Sequence, residues 1–577
     1  MSEAHEQCPV LEAAEDPVPR RSLPARLLRL GLLGAGLSLL LLAGFLGWVW
    51  LTCFAEPPEL SAGREALAAE VALAPSGRRR CGPSWFEERP GHSLLYLEGD
   101  PYTIGLANAR LTDDWIRQQE EGLMETVREF LPGELEFWGV TLLVLVNNRS
   151  LPDFVTPEYQ LEIRGLADGS SDPFPHLGPR YHRLLNYHAA HDISHWVWDK
   201  PVVGCTAFAA GGAWTASGDL LVGRNFDFEA SRLFDEHKII GLYRPEQGLP
   251  FLSVAWPGMA GAVTGLNAER IFCSINGAHS EDRGRIGTPV SLVVREVLQY
   301  AESLEQAIEI VRKAKVFVSD SYLIVDGETG RGAVVEKTPA RTAVRSMEGE
   351  LLLQANHFLT EELAPDAGNQ EYLRLGTSRS RYDRMEELVL AGRGSLDVPR
   401  AVEILRDRAA PGGAPLCAGN RGALNAMIAT HAVVANVTRG ELWVSRGPHQ
   451  LGPFDRYTIA DFGAAGPSLP GDATLVDGTY QDLLLGRELL TTTRQLAQTA
   501  GVSAESVLRS ARSALEHVPN DPDLLRLCGE AHERLGQPEA ALDAYRSALA
   551  ARPPFAPERE LLEAALARLQ GAVQAGD

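Results

Sequence analysis

Two short stretches hold side chains that could do covalent chemistry together. The first is Val203-Gly204-Cys205-Thr206-Ala207-Phe208 and the second is Gly223-Arg224-Asn225-Phe226-Asp227-Phe228. A cysteine attacks as its thiolate, and a nearby guanidinium such as Arg224 favours that charged form. A carboxylate such as Asp227 can hold a protonated amine in place. We read Cys205 as a nucleophile that becomes a new N-terminus when the chain cuts itself after Gly204. Its α-amine then sits close to its own sulfur. The ordinary pKa of that amine lies near physiological pH, which suits a general base, so no separate histidine is needed.

A hairpin is the element that must position these groups. Thr206 to Ala210 reads as a strand, Gly211-Gly212 and Ser217-Gly218-Asp219 as turn chemistry, and Leu220-Leu221-Val222 as the returning strand. The return brings Arg224 and Asp227 back beside Cys205. A cysteine after a glycine is ordinary by itself, because free cysteines are mostly small buried hydrophobes. The hairpin is what sets Cys205 apart.

With these motifs the chain resembles the N-terminal nucleophile hydrolases. It is most similar to the acyl-coenzyme A:6-aminopenicillanate (isopenicillin N) acyltransferase-like family. Bile-salt hydrolases and acid ceramidase-like amidases are relatives with the same cysteine, arginine and aspartate arrangement. Gly99-Asp100-Pro101-Tyr102-Thr103-Ile104-Gly105 and Glu162-Ile163-Arg164-Gly165-Leu166-Ala167-Asp168-Gly169 resemble that family's propeptide motifs. The resemblance implies an α+β fold of four layers, αββα. It implies that Cys205 attacks the Gly204 carbonyl first, cutting the chain by an N-to-S acyl shift, and a substrate amide afterwards. Arg224 and Asp227 would position the free amine and the thiolate. Asn276, in Phe272-Cys273-Ser274-Ile275-Asn276-Gly277, would help build the oxyanion hole. Asn356, in Gln354-Ala355-Asn356-His357-Phe358, would be a second polar residue of the site, and Arg381 an arginine near the nucleophile. A preorganised amide donor at an oxyanion is worth about 3 kcal/mol.

The rest of the chain must supply the frame. Upstream of Gly204, Ser93 to Gly99 reads as a strand, Leu106 to Phe130 and Trp138 to Val146 as helices, and Glu162 to Gly169 as a segment ending on turn-forming glycines. His188, His191 and His195 lie three and four residues apart, the spacing of zinc ligands on one helix face. No cysteine joins them, Asp192 is the nearby carboxylate, and the HExxH pattern is missing, so they read as surface histidines. Downstream, residues 288–313 read as two helices. Ser321 to Glu336 makes a hairpin, Arg381 to Ala391 a helix, and His431 to Ser445 a last hairpin. Strands, then helices, then strands fit two sheets between helix layers. No phosphate-loop or dinucleotide motif is present, and neither a cofactor nor a metal is expected.

The two ends differ from this middle. Leu30 to Leu51 is an uncharged apolar run long enough to span a membrane, preceded by Arg20, Arg21, Arg26 and Arg29 and followed mostly by glutamates. By the positive-inside rule the N-terminus is cytoplasmic and the bulk is exported, to the periplasm if the chain is bacterial. Near the C-terminus, Gly529, Ala541, Tyr545, Ala548 and Pro553 sit where a tetratricopeptide repeat wants small, aromatic and terminating residues. That tail is expected to dock on the catalytic domain or to bind a protein partner. The expected division is a cytoplasmic tail (1–29), a transmembrane anchor (30–52), a propeptide region (57–204), a catalytic domain (205–465), a linker (466–502) that includes a helix, and the repeat-like tail (503–572).

Composition narrows the function. The 577 residues carry a net charge of −22, which repels phosphate backbones and argues against nucleic-acid binding. Seven cysteines without paired spacing argue against a disulfide scaffold or a zinc ribbon. The expected function is a self-processing cysteine amidase or acyltransferase acting on small or lipid-like N-acyl amides, with hydrolysis preferred outside the cytoplasm. One alternative is a catalytically silent, membrane-anchored assembly protein using the repeat tail. Another is a cysteine protease in which His431 or His357 serves Cys205.

Overall fold

The computed structural model describes residues 23–60, 70–75, 77–197, 204–228 and 231–576. The stretch 1–22 with Arg20 and Arg21, part of the tether at 61–69, and residues 198–203 before Gly204 lie outside the described residues. Residues up to Phe54 form one unit and Ala55–Asp577 another. The first unit is helix α1, Leu23–Thr52. Within it the 23 residues Leu30–Thr52 are long and apolar enough to cross a membrane, although a signal sequence has the same character. At the α-helical rise they reach about 34 Å, and a hydrocarbon core is about 30 Å thick.

Two sheets build the second unit, with strands numbered here in chain order. Among the described residues the larger sheet has eleven strands. It starts with β1 (Ala72–Leu73), β2 (Arg79–Cys81), β3 (Ser84–Glu87) and β4 (Ser93–Gly99). It continues through β7 (Ile239–Pro245), β8 (Phe251–Ala255), β9 (Thr264–Asn267) and β10 (Ile271–Gly277), and ends with β11 (Asp320–Asp326), β12 (Arg331–Lys337) and β13 (Thr342–Ser346). The smaller sheet runs β14 (Leu351–Gln354), β5 (Thr206–Ala210), β6 (Leu221–Asp227), β15 (Ala429–Asn436), β16 (Glu441–Ser445), β17 (Phe454–Tyr457) and β18 (Ser468–Leu469). All neighbours pair antiparallel except β4 and β7, which are parallel from Ser93↔Ile239 to Gly99↔Pro245.

Strand alternation decides how the sheets stack, since successive side chains point to opposite faces. Leu94, Leu242, Leu252, Phe272, Leu323 and Val325 of the larger sheet pack with Ala207, Val222, Leu352, Val433, Ala435 and Val444 of the smaller. The outer face of the larger sheet is covered by α2 (Pro101–Phe130), α4 (Pro157–Gly169), α5 (Arg180–His188), α8 (Val290–Tyr300) and α9 (Leu304–Lys313). Helices α11 (Ser378–Ala391) and α12 (Val398–Leu405) cover the outer face of the smaller. The order is helix, sheet, sheet, helix, as the resemblance implies. Helices α3 (Glu134–Asn147), α6 (Ala190–Val197), α7 (Leu233–Glu236) and α10 (Ala367–Leu375) fill in around this frame.

The two upstream motifs acquire a physical meaning here. Asp100 caps α2, accepting from the Tyr102 and Thr103 amides at 3.1 and 3.4 Å. The glycines expected to form turns instead let two helices cross. A Cβ on Gly165 would stand 2.2 Å from the Tyr102 carbonyl oxygen of α2, and one on Gly105 would stand 1.9 Å from the Glu162 oxygen of α4. Glu162 then reaches α8, where Arg295 grips it with two bonds of 2.9 and 3.1 Å. The histidines expected at the surface are also placed differently. His188 is buried, with Nδ1 2.7 Å from the Leu184 carbonyl oxygen and Nε2 accepting from the Ala260 amide at 2.8 Å. Its helix faces the core because Leu184 and Leu185 point the same way. The His195 side chain lies outside the described residues.

The C-terminal segment is an array of helices, α13 (Thr479–Gln498), α14 (Ala504–His517), α15 (Pro522–Arg534), α16 (Pro538–Ala550) and α17 (Ala556–Gly576), each packed on the next. Gly529 makes room for the Tyr545 ring, 2.3 Å from where a Cβ would be. The array docks on the sheet-bearing region. Leu483 and Val518 pack with Met427 and Leu451, Asn420 donates to the Arg552 carbonyl at 3.2 Å, and Arg374 of α10 pairs with Glu560 at 3.2 Å.

A methyl group at the helix crossing has nowhere to go, since both nearest contacts are backbone. Gly165→Ala is expected to cost roughly 1–3 kcal/mol through overpacking, read as a lower apparent Tm than the parent chain.

Candidate functional site

The hairpin forms as expected, with Thr206 opposite Asn225 and Ala207 opposite Arg224. It is tight because Gly223 accommodates the Phe208 ring, 2.4 Å from a would-be Cβ. The Gly204 amide donates to the Asp227 carbonyl at 3.2 Å, extending the pairing to the candidate nucleophile. The Cys205 sulfur lies 3.9 Å from that same oxygen and is 0% exposed in the uncut chain.

Arg224 leaves β6 and crosses to the larger sheet. It donates to the Thr264 hydroxyl of β9 and to the Ile275 carbonyl of β10. His431 of β15 lies 3.3 Å from the same guanidinium and 2.9 Å from the Thr264 hydroxyl. Burial holds the imidazole well below its ordinary pKa, so the ring is neutral and can accept from the cation. His357 contacts the Ser378 hydroxyl at 2.7 Å, and burial pushes it down to about 3. Neither imidazole is hydrogen-bonded to the Cys205 sulfur among the described residues, which removes the support for a cysteine–histidine protease.

Arg381 projects from α11 into the centre of the site. Its Nη1 donates to the Gly204 carbonyl at 2.7 Å and to the Cys205 carbonyl at 2.6 Å. Its Nη2 donates to Asn356 Oδ1 at 2.8 Å. The two asparagines brace this arrangement from below. Asn276 donates to the Ala355 carbonyl at 3.2 Å and Asn356 to the Gly277 carbonyl at 2.9 Å, a reciprocal stitch between the end of β10 and the segment after β14. The Asn276 amide is thus engaged with the Ala355 carbonyl in the uncut chain. The donor at the Gly204 oxygen is Arg381, because it reaches across from the opposite helix layer.

Asp227 is buried beside Gly204. A Cβ on Gly204 would stand 3.1 Å from Asp227 Oδ2 and 3.5 Å from Nη2 of Arg421. Burial pushes the Asp227 carboxyl up to about 6, against the pull of Arg381, Arg421 and Arg224. Burial also raises the Cys205 thiol, against Arg224 and Arg381, with Asp227 adding to the rise. The thiol is thus neutral in the uncut chain, and three guanidiniums surround one carboxyl and one sulfur. Sequence reasoning missed Arg421. It stands on a loop between α12 and β15, with no local signal that distinguishes it from other loop arginines.

An apolar cavity of about 410 Å³ opens next to these groups. Leu123 and Val127 of α2, Val140 and Val144 of α3, Phe226 and Ile275 are among its walls. Phe226 and Phe228 bracket Asp227 in sequence, and Ile275 carries the carbonyl that holds Arg224.

Behind β10 two more acids are buried. Asp192 of α6 accepts from the Val290 amide at 3.2 Å, and Asp320 sits opposite Gly277 on β11. Burial raises both, Asp192 to about 8, and Asp192 raises Asp320 further.

Residues 214–414 match the model of the family described as acyl-coenzyme A:6-aminopenicillanic acid acyl-transferase, so the resemblance drawn from the motifs is shown for this segment. The segment contains Arg224, Asp227, Asn276, Asn356 and Arg381 and begins after Cys205. An uncharacterized protein of Archaeoglobus fulgidus is 27% identical over 356 residues, 55% of this chain and 58% of the relative. An N-acylethanolamine-hydrolyzing acid amidase of Caenorhabditis elegans is 23% identical over 300 residues, 49% of this chain and 76% of the relative. A solved structure of a Caenorhabditis elegans ortholog of that amidase is 16% identical, covering 41% of this chain and 93% of its own, with a TM-score of 0.31.

Asp192 gives a pH signature. Its folded pKa of about 8 lies above the ordinary 3.8, so its stabilising contribution is complete below 3.8 and is lost as pH rises through 8. Asp192→Asn removes that loss. The apparent Tm of the variant minus that of the parent should grow from pH 4 to pH 8 and level off above, as scanning calorimetry would show.

Proposed function

We propose that this chain is a self-processing cysteine amidase that takes N-acyl amides with a hydrocarbon chain. The observation that carries the reading is the pair of hydrogen bonds from Arg381 to the Gly204 and Cys205 carbonyls, with Arg224 and Asp227 both near enough to act on the Cys205 sulfur. A hydrogen-bond donor preplaced on a carbonyl oxygen stabilises the negative charge that develops there on attack.

In the processing step the Cys205 sulfur attacks the Gly204 carbonyl carbon. A C–S bond forms, the C–N bond to Cys205 breaks, and the thiol proton ends on the released amine. Water then hydrolyses the thioester, leaving a Gly204 carboxylate and a Cys205 with free thiol and amine. Ionised Asp227 holds that ammonium, while Arg224 and Arg381 favour the thiolate. The same sulfur then attacks a substrate amide. Once the preceding segment has moved, Asn276 and Asn356 become available to the substrate's oxyanion together with Arg381. The hydrocarbon part enters the cavity of about 410 Å³, which is within the range of small-molecule sites, ~300–1,000 Å³. The amidase relative from Caenorhabditis elegans supports an N-acyl amide as the substrate class. In this reading 57–204 is the propeptide, 205–465 the catalytic region and 503–572 the repeat-like tail. Residues 30–52 anchor the enzyme with its catalytic part outside the cytoplasm.

Purified wild-type chain is expected to run as two fragments, one with Cys205 at its N-terminus by sequencing. Cys205→Ala should remain whole and turn over no N-acyl amide in a screen of chain lengths. A wild-type chain that stays uncut yet is fully active would overturn the reading.

Processing should also fall as pH drops through about 6, where Asp227 takes up a proton. Arg421→Gln removes a cation that favours the carboxylate, so the acid limb should move to higher pH. Arg421→Lys should return it towards the parent position, with both limbs followed by gel densitometry.

A further inference from the structure

A second, polar cleft of about 190 Å³ lies between the loop carrying Arg421 and the C-terminal helices. Arg421 and Arg487 of α13 line it together with Arg494, Asp521, Asp523 and Glu558. The acids already have local work. Asp521 caps α15 by accepting from the Asp523 and Leu524 amides at 3.0 and 2.9 Å. Asp523 is paired with Arg494 at 2.6 Å, and Glu558 accepts from the Phe555 amide at 3.4 Å. Arg421 acts on Asp227 from the inner end of the cleft. Arg487 donates to the neutral carbonyl oxygens of Met427 and Ala426 at 3.3 and 3.1 Å, and Asp521 is the carboxyl group that acts on its charge. Arg421 is near enough to Arg487 for the two cations to repel each other. Two guanidiniums crowded into one cleft are a receptor for a planar anion, which each can grip with paired N–H donors.

The cleft also reaches the reacting bond. Arg421 extends from it to within 3.5 Å of a Cβ position on Gly204, the residue that leaves on processing. Resting on the amidase reading, we propose that this cleft is the polar subsite of the enzyme and takes a carboxylate at the end of the substrate opposite its hydrocarbon chain. The helical tail is then a wall of the substrate site. The hydrocarbon lies towards Phe226 and Ile275, the carboxylate lies against Arg421 and Arg487, and the scissile amide lies between them at Cys205.

The test compares two substrates on the processed full-length enzyme, N-dodecanoylglycine and N-dodecanoylglycinamide, which differ in a carboxylate against a carboxamide. The expected result is a kcat/KM about tenfold higher for the carboxylate, carried mainly by KM, the size of one charge-assisted contact. Raising the salt should shrink that ratio little, because the pair is shielded from solvent. Arg487→Gln should collapse the ratio towards one, and Arg487→Lys should keep part of it. Turnover of both substrates at equal kcat/KM by the wild type overturns this subsite and leaves the amidase reading standing. Turnover of neither substrate, while neutral ethanolamides are cleaved, also overturns the subsite alone. No turnover of any N-acyl amide sinks both. If the Arg487 variants fail to fold, the wild-type ratio decides.

Discussion

A single guanidinium holds two successive peptide carbonyls. Arg381 donates to the carbonyls on both sides of the Gly204–Cys205 bond. To do so it must be buried at 1% exposure among Arg224, Asp227 and Asn356. Buried charges are costly unless hydrogen bonds replace the water they lose, and Arg224 and Arg381 each make such bonds. Arg224 takes a hydroxyl and a carbonyl of the larger sheet, and Arg381 takes two carbonyls and an amide oxygen. The two sheets therefore cannot slide without breaking bonds that hold the candidate nucleophile. The site is a product of sheet stacking more than of any one loop.

The frame around it follows from the same constraint. Strand β5 has no exposed residue, because one face meets the larger sheet and the other meets α11 and α12. Arg381 comes from the helix layer and Arg224 crosses to the opposite sheet, so the site draws on three of the four layers. The apolar cavity and the polar cleft lie among different partners of this centre, α2 and α3 in one case and the helical tail in the other.

Much of this was legible in the sequence, and the failures have physical causes. The hairpin was readable because turn glycines and strand residues alternate locally between Thr206 and Asp227. Strand β4 and helices α2 and α3 were readable for similar reasons. Gly105 and Gly165 were not readable as crossing points, since glycine signals a turn and a close helix contact equally well. His188 read as exposed because its partner, the Ala260 amide, is far along the chain. That Arg381 reaches the Gly204 oxygen in the uncut chain, where the resemblance points to Asn276 for an oxyanion, was not readable. The choice between them depends on how α11 lies across β5, and no spacing encodes that. Arg421 was invisible for the same reason, as its role exists only through the docking of a loop beside Gly204.

The parallel ladder between β4 and β7 has one more consequence. The seven residue pairs from Ser93↔Ile239 to Gly99↔Pro245 join a strand that precedes Gly204 to one that follows it. Scission before Cys205 would turn a single chain into a two-chain complex held by an uninterrupted sheet and a buried ion pair between Glu162 and Arg295. Refolding from denaturant would then become second order in protein concentration, whereas the intact precursor reassembles as one molecule. The cut would act as a ratchet, removing a topological connection that the two-chain form could not restore by itself.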